Sequence, residues 1–85
     1  MKRIVFTPSA FSEYNEWIKM QPVIAYKIME LIKDIVKNPF KGIGKPEPLR
    51  GNYRGFWSRR INKEHRLIYK VDADVVSIVK CKGHY

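Results

Sequence analysis

The sequence holds a single cysteine, Cys81, in 85 residues. One thiol forms no internal disulfide and cannot by itself build a zinc site, so a disulfide-stapled scaffold and structural zinc are both set aside. Long apolar runs are missing too. No stretch approaches the ~18 residues of a membrane span, and the apolar part of "MKRIVFTPSAF" is too short for a signal peptide. Repeats and low-complexity segments are absent, as are P-loop, G-x-G-x-x-G, H-E-x-x-H and paired C-x-x-C patterns, and Ser58 lacks a G-x-S-x-G setting. The expectation is a soluble, reduced, cytoplasmic chain that uses no cofactor and no metal.

Acidic residues are scarce: 8 Asp and Glu stand against 17 Lys and Arg, a formal net charge of +9. The imbalance is uneven, with a net of +2 over residues 1–40 and +7 over residues 41–85. Such an excess repels itself in a compact state, and the usual compensation is a polyanionic partner. Nucleic acid is the first partner class and an acidic protein the second. A basic surface kept for solubility is the weaker reading, because acidic residues serve that purpose better.

Against a prior of ~150 residues per domain, the chain reads as one domain, 1–85. Lys2 to Phe6 predicts a short strand. Thr7-Pro8 supplies an N-cap and a first-turn proline, after which Ala10, Tyr14, Trp17 and Ile18 recur at helical spacing to about Met20. Pro22 breaks that helix and opens a second, where Ile24, Ile28, Leu31, Ile32 and Ile35 form one apolar stripe until Asn38-Pro39 ends it. The stretch "FKGIGKPEPLRGNYRG" has four glycines and two prolines in sixteen residues and predicts turns, with a short strand near Asn52-Tyr53. Then come "FWSRRI", "HRLIYKV" and "VVSIVKC", joined by "NKE" and "DAD" at lengths suited to three-residue hairpin loops. The expected fold is α+β: an N-terminal strand, two helices, then a mainly antiparallel sheet with the helices packed on one face.

With Asn62–Glu64 and Asp72–Asp74 as turns, antiparallel pairing joins residues of equal parity. Trp57, Ile61, Leu67, Tyr69, Val71, Val75, Val79 and Cys81 then face the helices. Ser58, Arg60, Arg66, Lys70, Lys80, Lys82 and, by continued alternation, His84 form a cationic face. Arg60 is expected opposite Arg66, and Arg66 opposite Lys80. Like charges directly opposed are destabilising, so this stack points to an anion held among them, and arginine's planar fork suits phosphate. The alternative is a solvated basic face whose arginines splay into water or pair with Glu47 and Glu64.

RNA cleavage without a metal needs a base for the 2′-hydroxyl proton, an acid for the departing 5′-oxygen, and cations around the transition state. The nucleophile belongs to the RNA. His84 carries the imidazole chemistry that donates and accepts protons near neutrality, and it also reads as a plain terminal histidine. Glu47 is the one acid between Asp34 and Glu64, ringed by Lys41, Lys45, Arg50 and Arg54. It reads either as a charge-balancing salt bridge or as a general base. His65, at a strand start on the odd face, reads as a packing histidine, and Asp72 and Asp74 as turn residues.

The motifs "GKPEPL", "GFWSRRI", "EHRLIY" and the terminal "HY" occur in this order, with "ELIKDI" in the second helix and "NPF" after it. Together they span nearly the whole chain and resemble the YoeB branch of the RelE-like bacterial toxins. The resemblance implies the toxin half of a type II toxin–antitoxin pair, with a fold similar to microbial ribonucleases. It also implies an endoribonuclease that cuts translated mRNA at the ribosomal A site and so inhibits protein synthesis. Carried over by residue, Glu47 resembles the family's general base, His84 its general acid and Arg66 the residue that stabilises the transition state. Arg60 resembles a second phosphate-binding arginine, and Tyr85 a substrate-positioning tyrosine. Lys45 and Arg50, flanking Glu47, are further candidate substrate contacts. The implied partners are mRNA on the ribosome, a YefM-like antitoxin offering an acidic, foldable segment to the cationic face, and a second copy of the chain in a homodimer.

Two rival readings stand beside this one. The first is an RNA- or ribosome-binding inhibitor that does not cut. The second is a DNA-binding regulator, weakened because no helix concentrates basic residues on a face suited to a major groove.

Overall fold

In the computed structural model, which describes residues 2–84, β1 (Arg3–Phe6) passes the chain to α1 (Pro8–Met20) through Thr7. Thr7 Oγ1 accepts the Ala10 N–H at 3.2 Å, and Pro8 occupies the first turn, where its missing N–H costs nothing. The Gln21 N–H donates to the Trp17 carbonyl and closes α1, and Pro22 starts α2 (Pro22–Lys37). Ala25, Ile28, Leu31, Ile32 and Ile35 of α2 are buried and Ile24 is half-buried, so the apolar stripe is the core face, as its spacing predicts. On α1 the inward line runs through Ala10, Tyr14 and Trp17. Ile18 departs from expectation and is 47% exposed, because it lies about 100° around the helix from Trp17.

The sheet has five strands in the order β1-β5-β4-β3-β2. β1 pairs parallel with β5 (Val75–Lys80), and the remaining pairs are antiparallel. β2 is Glu47–Pro48, not the Asn52-Tyr53 strand expected; Gly51–Tyr53 instead form one 3₁₀ turn. An edge position accommodates the proline that has no N–H to donate, and Gly51, at φ +64, turns the chain away.

The hairpin of β3 (Trp57–Arg60) and β4 (Arg66–Asp72) keeps the expected register, with Trp57 opposite Tyr69 and Arg60 opposite Arg66. Asn62 Oδ1 closes its turn by accepting the N–H groups of Glu64 and His65, each at 2.9 Å. The second hairpin departs from expectation. Asp72 pairs with Val75, which leaves Ala73 and Asp74 as a two-residue turn with Ala73 at φ +49. Two-residue loops with left-handed backbone match the strand twist better than the longer loop expected. Parity therefore switches on β5, so Val76 and Ile78 are fully buried whereas Val75 and Val79 are only half-buried. A register shift at Ile68/Tyr69 switches it back, so Lys80 stands opposite Ile68 and not opposite Arg66.

Candidate active site

The sheet face turned away from the helices carries a row that crosses four strands: Glu47 opposite Ser58, Ser58 opposite Ile68, Ile68 opposite Lys80. Residues directly opposed in neighbouring strands share a face. Ser58 and Ile68 are buried yet stand outside the helix-facing core, so they floor this face between a carboxylate and an ammonium group. Two residues along β3 and β4, about 7 Å further, lies the Arg60–Arg66 pair. Glu47, which the sequence left in a loop, is thereby fixed on an edge strand one row from both arginines.

Among the described residues the Glu47 carboxylate joins no ion pair, so the salt-bridge reading finds no partner there. Glu47 borders an open cavity of about 490 Å³ with Pro48, Leu49 and Arg50, which puts Arg50 beside the same space. Lys45 is exposed two residues upstream at φ +50 and makes no side-chain hydrogen bond among the described residues. Arg66 rests Nη1 on the carbonyls of Asn62 (3.1 Å) and His65 (3.3 Å), which aims the guanidinium while Nε and Nη2 bind no described residue. Arg60 is exposed, and its backbone N–H donates to the Gly44 carbonyl at 2.6 Å.

Gly83 brings the backbone back beside β4. The Gly83 carbonyl accepts the Arg66 N–H at 3.0 Å, so the exposed His84 follows directly on a residue bonded to the Arg66 backbone. Lys82 does not belong to the cationic face as expected. Its Nζ meets Glu16 Oε1 at 2.9 Å and lies 5.9 Å from the Trp17 ring, on the α1 side. Strand alternation ends with β5 at Lys80, and Gly83, at φ +80, turns the backbone afterwards. Tyr85 lies outside the described residues.

A sequence profile described as the YoeB-like toxin of bacterial type II toxin-antitoxin systems matches residues 6–85. The chain belongs to this toxin family. It is 46% identical over 83 residues to the toxin YoeB of Streptomyces coelicolor, covering 98% of this chain and 99% of that one. A YoeB–YefM toxin–antitoxin heterotetramer from Staphylococcus aureus contains a similar chain: 45% identity, TM-score 0.91, with 100% of this chain and 99% of that one covered. A YoeB dimer from Staphylococcus aureus superimposes with a TM-score of 0.92 at 46% identity, covering 99% and 98% of the two chains.

Sequence reasoning about this YoeB-like toxin missed Arg59. It is fully buried, and all five of its N–H donors are used. Nε donates to Tyr69 Oη at 3.2 Å. Nη1 donates to Asp34 Oδ2 and to the Ile43 carbonyl, and Nη2 to the carbonyls of Asn38 (2.7 Å) and Lys41 (2.9 Å). Tyr69 Oη passes the network on to the Pro39 carbonyl at 2.6 Å. This clamp holds the loop that leads from α2 to Glu47. The hydrogen bond from Arg59 draws the Asp34 carboxyl below its usual 3.8. Gly42 closes on the clamp: at φ +122, a Cβ there would stand 1.9 Å from Asp34 Oδ2. The signal in the sequence was a charge at an odd position of an otherwise apolar face.

Cys81 is buried in the core, and burial pushes its thiol up to about 12, so it offers no thiolate near neutral pH. Among the described residues no group of His, Cys, Asp and Glu is arranged to hold a metal ion, and no helix is long and apolar enough to cross a membrane.

Proposed function

We propose that this toxin is a ribosome-dependent endoribonuclease that cuts translated mRNA at the A site by general acid–base catalysis. The supporting observation is that Glu47 shares one sheet face with the opposed Arg60 and Arg66, one row away, and that His84 follows the residue bonded to the Arg66 backbone. Two arginines directly opposed, neither engaged with a described carboxylate, destabilise the empty protein and favour a bound phosphate.

In this reading Glu47 takes the proton of the 2′-hydroxyl, and O2′ forms a bond to phosphorus. The P–O5′ bond breaks, and His84 gives its proton to the leaving oxygen. Arg66, with Arg60 beside it, compensates the charge that develops on the phosphoryl oxygens. The products are a 2′,3′-cyclic phosphate and a 5′-hydroxyl. Arg50, Lys45 and Tyr85 act as further substrate contacts. The YoeB–YefM complex and the YoeB dimer of Staphylococcus aureus support a YefM-like antitoxin and a second copy of this chain as partners.

The test is in-vitro translation with mapping of message ends. Cuts within the translated frame that end in a 2′,3′-cyclic phosphate are expected from wild type and not from His84→Ala. A His84→Ala chain that still halts translation as well as wild type would mark a binding inhibitor instead. A magnesium requirement in the cutting step, beyond that of ribosome assembly, would overturn the mechanism.

A further inference from the structure

His65 stands outside the acid–base set, yet its side chain is tied to the residue that precedes His84. Its backbone N–H donates to Asn62 Oδ1 at 2.9 Å, and its carbonyl accepts the Ile61 N–H at 3.0 Å, so the turn holds the residue in place. Its ring meets Trp17 edge-on, with centroids 4.8 Å apart. Nδ1 then accepts the Gly83 N–H at 2.7 Å, while the Gly83 carbonyl accepts from the Arg66 N–H at 3.0 Å. An acceptor at Nδ1 requires the tautomer that carries its proton on Nε2.

Backbone pairing supplies only part of this anchorage, the bond from the Arg66 N–H of β4, because β5 itself stops at Lys80. Cys81 is bound on both sides to α1: its N–H donates to Glu13 Oε1 at 2.7 Å, and its carbonyl accepts Trp17 Nε1 at 2.8 Å. The last fixed point before His84 is Gly83, and two hydrogen bonds hold it there, one from a side chain and one from backbone. Only the side-chain bond can be removed by substitution, and glycine has the widest backbone freedom to lose its position.

We infer that His65 is a positioning residue. Its Nδ1 latches the Gly83 N–H, and the latch sets where His84 stands relative to Arg66. The inference rests on the nuclease reading of His84 and assigns His65 no contact with substrate. An acid displaced by about 1 Å can cost 10²-fold in rate, whereas a displaced acid leaves phosphate binding by Arg60 and Arg66 in place. The latch therefore acts on kcat and not on KM.

The test uses the full chain, with message cleavage on programmed ribosomes and amide exchange of the free protein as separate readouts. His65→Leu keeps an apolar contact with Trp17 and removes the acceptor. It is expected to raise Gly83 exchange at least tenfold and lower kcat about 10- to 100-fold, with KM within about twofold. His65→Asn restores an acceptor oxygen near the Nδ1 position and is expected to recover most of the Gly83 protection and of kcat. Should His65→Leu fail to fold, His65→Phe serves, since it keeps an aromatic ring against Trp17 and removes the acceptor for the Gly83 N–H; it too is expected to raise Gly83 exchange and lower kcat. Gly83 protection that survives His65→Leu overturns the latch. Lost protection with unchanged kcat, or an Asn variant as slow as the Leu variant, overturns the positioning role. Wild-type protein that leaves the message intact overturns the nuclease reading and this catalytic role with it, while the Gly83 exchange still decides whether the latch exists.

Discussion

Arg59 and Arg60 are neighbours on β3, and the pleat sends them to opposite faces of the sheet. Arg59 is fully buried, with every donor bonded to Asp34, Tyr69 or loop carbonyls. Arg60 is exposed and faces a second arginine, Arg66. One guanidinium stabilises the fold because the protein meets all its needs. The other makes no side-chain hydrogen bond or ion pair among the described residues, which suits the phosphate-binding role proposed for it. Burial and satisfaction, not residue type, separate these two charges.

The difference is broken first on the functional face. His84→Ala and Glu47→Ala are each expected to slow message cleavage about 10²- to 10⁴-fold while shifting unfolding free energy by less than about 0.5 kcal/mol, as for other exposed positions. Cleavage rate and urea denaturation on the same preparations check both halves. A loss of stability in step with activity would place these residues with Arg59.

On the structural face the order reverses. Asp34→Ala strands a buried guanidinium and is expected to cost about 3 kcal/mol of stability, read from the urea midpoint at constant slope. Gly42→Ala, which drives a Cβ into Asp34 Oδ2 from a left-handed backbone, is expected to cost about 1–3 kcal/mol by the same measurement. Acid sharpens the assignment. A carboxyl held low in the fold contributes stability that is fully present above its unfolded value, near the usual 3.8, and is lost as pH falls below it. Wild type is therefore expected to lose more stability than Asp34→Asn between about pH 4 and pH 2, and equal losses would remove Arg59 as the cause.

The smallest effect belongs to Lys82. Sequence alternation puts it on the cationic face, whereas the structure pairs it with Glu16 across a half-exposed surface. Lys82→Ala is expected to change stability by less than about 1 kcal/mol and to leave cleavage within about twofold. A large loss of cleavage would return it to the cationic face.

Much of this fold was legible in residue order. Thr7-Pro8, Pro22 and Asn38-Pro39 mark the helix ends, and the stripe from Ile24 to Ile35 marks the buried face. The parity of "FWSRRI" against "HRLIYKV" already sets Arg60 opposite Arg66. Elsewhere the reading stopped for identifiable reasons. A period of two is destroyed by one residue, so the two-residue turn at Ala73-Asp74 and the compensating shift near Tyr69 moved Lys80 away from Arg66 without any mark in composition. His65 showed its packing role by parity, but its bond to Gly83 joins residues 18 positions apart.

The sequence by itself determined the charge, the helices, the pairing of the first hairpin and the chemical types available for an acid–base site. Those properties are local or periodic, and each is read within a few residues. Tertiary structure alone decided that Glu47 sits on an edge strand one row from the arginines, that Arg59 is a clamp and Arg60 is open, and that Gly83 is tied to His65. These depend on turn length, strand register and which donors find acceptors, and such conditions are met only when distant segments are brought together.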